Sequence, residues 1–192
     1  GNASSDGAGI KFSTNDGDFS PNDHQVDISN NTISGNQGRN PFGAAISING
    51  AYPLIFTNNT ITQNEYKCTL PEHLSCGESD TAIIWIYSAP TPGTVFTNNN
   101  IFSNDAHYLL KNTQSLSASD LDMENNWWGT TNTTNLDALI YDWNDNPNEE
   151  VIDYTPLLTS PDTTAPPSPP QNVAAQTGHT SIALTWDANP ES

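Results

Sequence analysis

The sequence predicts an all-β chain built as a coil of short stacked strands, and three observations lead there. First, a nine-residue motif recurs as "ISNNTISGN" (28 to 36), "FTNNTITQN" (56 to 64) and "FTNNNIFSN" (96 to 104), and "MENNWWG" from Met123 continues the series. Second, alternating segments interleave with it: "AGIKF" from Ala8, "AAISI" from Ala44, "AIIWI" from Ala82 and "AHYLL" from Ala106. Third, no long stretch of the repeats has helical period, and self-similarity at a spacing of tens of residues is the signature of a repeat architecture.

The alternating segments are expected to be strands. Ile10 and Phe12, Ile46 and Ile48, Ile84 and Ile86, Tyr108 and Leu110 face one side, with Lys11, Ser47, Trp85 and Leu109 on the other. The Asn pairs Asn30/Asn31, Asn58/Asn59, Asn98/Asn99 and Asn125/Asn126 mark the corners, at steps of 28, 40 and 27 residues. In a β-solenoid each turn lies about 4.8 Å above the last, so equivalent side chains stack and amides can hydrogen-bond along the stack. Asn also tolerates the left-handed backbone that a sharp corner requires. All eight are therefore expected in an asparagine ladder. Val26/Ile28, Phe56, Phe96 and Met123 before the corner, and Ile33, Ile61, Ile101 and Trp128 after it, are expected to point inward. The rival account makes the pairs ordinary hairpin turns of an antiparallel fold.

The long step contains "CTLPEHLSC", which reads as an insertion closed by a disulfide between Cys68 and Cys76. Such a bridge implies an oxidising, extracytoplasmic compartment, with free thiols and a metal site as alternatives. Sequons at Asn2, Asn30, Asn58 and Asn132 agree with secretion but arise easily in an Asn- and Thr-rich chain. No apolar run reaches the length of a membrane span, and the first residues lack a charged stretch followed by an apolar one, so Gly1 reads as a cut point within a longer precursor.

Past the last Asn pair, "TNTTNLDALIYDWND" suggests a short helix capped by Thr134 or Asn135, with Asp137 in its first turn and Leu136, Leu139, Ile140 and Trp143 forming one apolar face. With Trp127 and Trp128 this helix is expected to cap the last turn of the coil. "VIDYTPLL" is a final extended segment. Residues 161–170 are a Pro-rich linker, and residues 171–192 resemble the start of a fibronectin type III domain, with Val173 in one strand and Ile182, Leu184 and Trp186 in the next.

Residues 8 to 160 resemble the right-handed parallel β-helix repeat proteins, the superfamily of pectate lyases and many bacterial and archaeal cell-surface proteins. The "NNTI" corners carry the resemblance, and more specifically "NNWWGT" followed by "IYDWNDNPNEEVIDYTPLL", which looks like the terminal stretch of such repeat regions. The resemblance implies a right-handed parallel β-helix over residues 1–160 with a C-terminal capping helix.

Lyases and hydrolases exist on that fold, so residue types must be weighed. Elimination from a uronic acid needs a cation and a base, and the chain has only Lys11, Arg39, Lys67 and Lys111. Hydrolysis needs paired carboxylates, yet Asp80, Asp105 and Asp120 share no repeat position. No catalytic residue is assigned. Calcium is the candidate cofactor, with Asn15, Asp16, Asp18 and Asp23 in one loop and Asp142, Asp145, Asn146 and Glu149 in another. Trp85 and Tyr87 are a candidate aromatic platform for sugar.

A net charge of −18, from 22 acidic and 4 basic residues, argues against nucleic acid, anionic membranes and polyanionic glycans as partners. The expectation is a non-catalytic structural or adhesive module of an extracellular protein. Its partners are neutral carbohydrate or other protein subunits, with self-association through the solenoid ends or donated strands. The alternative is a fragment of a polysaccharide lyase or glycoside hydrolase. The N-terminal turn, "GNASSDGAGIKF", has no cover of its own and is expected to be completed by upstream residues or a neighbouring subunit.

Overall fold

The computed structural model describes residues 3–4, 9–13, 25–38, 43–50, 53–66, 81–88, 94–114, 120–189 and 191. The chain opens with β1 (Ala3–Ser4) and β2 (Ile10–Ser13), then passes through β3 (Val26–Ser29), β4 (Thr32–Ser34) and β5 (Gln37–Gly38). The next repeat supplies β6 (Ile46–Asn49), β7 (Leu54–Thr57), β8 (Thr60–Thr62) and β9 (Glu65–Tyr66). It is followed by β10 (Ala82–Ser88), β11 (Val95–Thr97), β12 (Asn100–Phe102), β13 (Tyr108–Asn112) and β14 (Leu121–Asp122). A short helix α1 (Thr133–Asp137) precedes β15 (Ile140–Tyr141) and β16 (Ile152–Asp153), and β17 (Gln171–Thr177) and β18 (Ile182–Asp187) end the series.

Consecutive strands of a repeat go to different sheets, and each sheet grows by one strand per repeat. The orders are β15-β13-β10-β6-β2, β11-β7-β3, β12-β8-β4 and β1-β5-β9, with β14 on β16. Every pairing in these sheets is parallel. The fold of the described residues is thus mostly β, and the antiparallel hairpin-turn account of the Asn pairs does not hold.

Register is set by like residues meeting. Ile10, Ile46, Ile84, Leu110 and Ile140 form one column, Ile28, Phe56 and Phe96 a second, and Ile33, Ile61 and Ile101 a third. A one-residue slip would turn every column outward, so burial pins the alignment. The Phe56 and Phe96 rings stack with centroids 4.7 Å apart and planes 8° from parallel, one strand spacing between layers. Met123, Trp128 and Leu136 close this core.

Several expectations about single residues need correction. Leu109 lies on the side opposite Leu110, as alternation requires, but that side is buried too, and Lys111, in register with Trp85, is buried with it. The helix N-cap is Asn132, whose extended backbone lets Oδ1 accept from Asn135 N at 3.2 Å, so neither Thr134 nor Asn135 caps it. Asp137 lies in the last turn of the helix, not the first. Because α1 ends there, helical spacing carries no further: Ile140 is buried in β15, Leu139 packs partly on the core, and Trp143 is 45% exposed.

Candidate functional site

The eight corner asparagines divide into two jobs. The first of each pair, Asn30, Asn58, Asn98 and Asn125, has φ of 59°, 55°, 58° and 57° and turns the chain. Only the second stacks: Asn31 Nδ2 donates to Asn59 Oδ1 at 3.1 Å, Asn59 Nδ2 to Asn99 Oδ1 at 3.1 Å, and Asn99 Nδ2 to Asn126 Oδ1 at 2.9 Å. The same oxygens also accept the backbone N–H of Asn31, Asn59 and Asn99. A second ladder, unassigned from sequence, runs Asn36 to Asn64 to Asn104 at 2.9 and 3.0 Å. It too follows a left-handed corner, at Gly35, Gln63 and Ser103. Its signal was the closing Asn of each nine-residue motif.

On the five-stranded sheet Lys11, Ser47, Trp85, Lys111 and Tyr141 align across the strands. Trp85 is only 6% exposed and Lys111 only 4%. The Lys111 ammonium lies 4.6 Å from the Trp85 ring centroid and 4.7 Å from that of Tyr141, and Trp85 Nε1 donates to Thr113 Oγ1 at 2.9 Å. Trp85 therefore offers no open ring face, and Tyr87, which is exposed, stands without it as a platform.

The acidic loop of residues 142 to 150 is wired internally. Asp142, 1% exposed, accepts from Asn144 N at 2.9 Å through Oδ1 and from Ile152 N at 3.0 Å through Oδ2. Asp145 accepts from Asp142 N, and Glu149 Oε1 from Asn146 Nδ2 at 3.0 Å. Among the described residues no three His, Cys, Asp or Glu side chains are grouped to hold a metal ion.

The Pro-rich segment is not a free spacer. Asn100 Nδ2 donates to Asp162 O at 2.9 Å while Asp162 N donates to Asn100 Oδ1 at 2.7 Å. Thr60 Oγ1 donates to Pro166 O, and Thr32 Oγ1 to Pro167 O at 3.1 Å. Proline lacks a donor but keeps its carbonyl, so the segment docks as a strap that both gives and accepts at β12, through Asp162, and only accepts at β8 and β4, through Pro166 and Pro167.

Above this strap a cleft of about 490 Å³ opens between the Trp127–Thr130 turn, Ser103, α1 and Pro161. Trp127 bridges to Asn100 and is half-buried, while its neighbour Trp128 is 2% exposed and carries a buried Nε1–H without a partner. Trp128 thus belongs to the buried core cluster, whereas Trp127 is half-buried and lines the cleft. Gly129 holds the turn: its φ is +76°, and a Cβ there would lie 3.0 Å from Phe102 Cβ.

Of the sequon asparagines, Asn30 and Asn132 are exposed and Asn58 is half-buried. Cys68, Cys76, Asn2, Asn15, Asp16, Asp18 and Asp23 lie outside the described residues. No family model, no curated protein and no solved structure matches this chain. Among the described residues no helix is long and apolar enough to cross a membrane.

Proposed function

We propose that residues 1–160 wind as a right-handed parallel β-helix and act as a non-catalytic structural or adhesive module of a secreted or cell-surface protein, with neutral carbohydrate as its ligand class. Residues 161–170 then lead to the start of a fibronectin type III-like module. The observation that carries this reading is the pair of asparagine ladders, which ties each repeat to the next through buried amides and makes a stiff support for outward-facing side chains. The net charge of −18 favours neutral over polyanionic glycans.

Native gels cast with neutral or uronic-acid polysaccharides, with and without Ca²⁺, test it. Retardation by a neutral polymer that stays intact is the expected result. New reducing ends or unsaturated products would instead establish the lyase or hydrolase alternative.

A further inference from the structure

We propose that the cleft beside Trp127 binds one or two residues of a neutral sugar; the proposal rests on the neutral-carbohydrate reading above and gives it a site. A volume of about 490 Å³ is in the range of small-ligand sites and exceeds what one water would fill. Its walls combine what a sugar ring needs. Trp127 is half-buried and its indole makes no hydrogen bond among the described residues, leaving an aromatic face for the apolar C–H side of a pyranose. The Asn135 side-chain amide, which also lines the cleft, is exposed and unbonded among the described residues, so it has both donors and an acceptor to offer hydroxyls. Thr130 Oγ1 accepts from Asn132 N at 3.0 Å and keeps its own proton to donate. Trp128, which also lines the cleft, has a buried indole N–H without a hydrogen-bond partner among the described residues.

Charge narrows the ligand further. The chain carries 22 acidic residues, yet among the described residues no ionisable side chain walls this cleft. An anionic sugar would meet the repulsive field of the whole chain without a cation to receive it, and a cationic ligand would find no carboxylate. An apolar peptide would leave Asn135 and Thr130 desolvated and unpaired. The geometry is also fixed in advance, because Asn104 is held in the second ladder and the Gly129 turn lies so close to Phe102 that a Cβ would crowd it. Preorganised walls lower the cost of binding.

The full chain, labelled with ¹⁵N, is titrated with cellobiose, maltose, lactose and digalacturonate while the indole N–H signals of its five tryptophans are followed. At least one neutral disaccharide is expected to shift the Trp127 and Trp128 signals saturably in the millimolar range, leaving Trp143 and Trp186 in place. Trp127→Ala should weaken binding about tenfold or more, and Trp127→Phe should keep part of it; the Phe variant also serves if the Ala variant fails to fold. The proposal is overturned if neither signal moves, if Trp127→Ala and Trp127→Phe both bind as the parent does, or if digalacturonate binds equally well. Should the chain still be retarded by neutral polysaccharide in gels while these signals stay still, the carbohydrate reading stands and only this site falls. With no retardation either, both fall.

Discussion

Two regions of the molecule are made of paired strands and treat their side chains in opposite ways. In the parallel body, alternate residues of each strand drop into columns such as Ile33, Ile61 and Ile101, and the corner amides close over them. In the β17–β18 hairpin every residue from 172 to 188 is exposed, although the pairing Ala175 to Leu184 and Thr177 to Ile182 is regular. Its apolar side chains, Val173, Ile182, Leu184 and Trp186, stay in solvent. Backbone pairing gives both regions their geometry, whereas burial is confined to one. An isolated two-stranded hairpin is marginal in water, so the stability of this chain resides in the body.

The largest break in that contrast comes from the ladder. Asn99 is fully buried, its Oδ1 accepts from Asn59, and its Nδ2 donates to Asn126 Oδ1 and Phe56 O. Asn99→Asp removes the donors and sets a carboxylate against those oxygens, a loss of about 4 kcal/mol in urea unfolding. The neighbouring Asn98→Gly keeps the left-handed corner and should cost under about 1 kcal/mol. Equal costs would mean that the two asparagines share one role.

Ile61→Ala, in the centre of a column, should cost about 2–5 kcal/mol, whereas Leu184→Ala in the hairpin should stay within about 0.5 kcal/mol. Comparable losses by denaturant midpoint would show that the hairpin is buried in solution and would end the comparison.

Much of the body was legible because it depends on repetition. Phe56 and Phe96, or Ile33, Ile61 and Ile101, occupy the same place in visibly similar nine-residue strings, and like residues in register must share a side. The division of labour within each Asn pair was not legible, since turning and stacking both suit asparagine and only φ separates them. Trp85 misled for another reason. Alternation says which face of a strand a side chain takes but not whether that face is covered, and a lysine can be buried when rings receive its charge. The strap was hidden because proline-rich composition reports stiffness and says nothing of where carbonyls dock. The cleft joins residues from 102 to 161 and has no local pattern at all.

A smaller effect separates the strap from both regions. Asn100→Ala deletes the two hydrogen bonds to the Asp162 backbone. About 1–2 kcal/mol should be lost, and limited proteolysis within residues 161 to 168 should accelerate while the core melts cooperatively as before. Unchanged proteolysis would mean that the Thr60 and Thr32 contacts suffice to hold the segment.

The smallest effect lies at the junction of the body with its last extended segment, where Tyr154 packs on the core and its hydroxyl donates to Asp137 Oδ1 at 3.3 Å. Burial, first, and then the charge and hydrogen bond of Asp137, with a contribution from Asp142, raise the phenol above its ordinary 10.0. The neutral form is thus the one the fold favours, so this contribution to stability is fully present below pH 10 and is lost as the pH climbs through the raised value. Phenolate absorbance during an alkaline titration should show a late-ionising phase from Tyr154. Asp137→Asn should bring that titration back toward its ordinary value, because it removes the second cause and leaves the first. Tyr154→Phe should abolish the late phase and flatten the alkaline fall in stability. A late phase that survives Tyr154→Phe would assign it to another tyrosine and leave the body's terminal segment without a titrating contact.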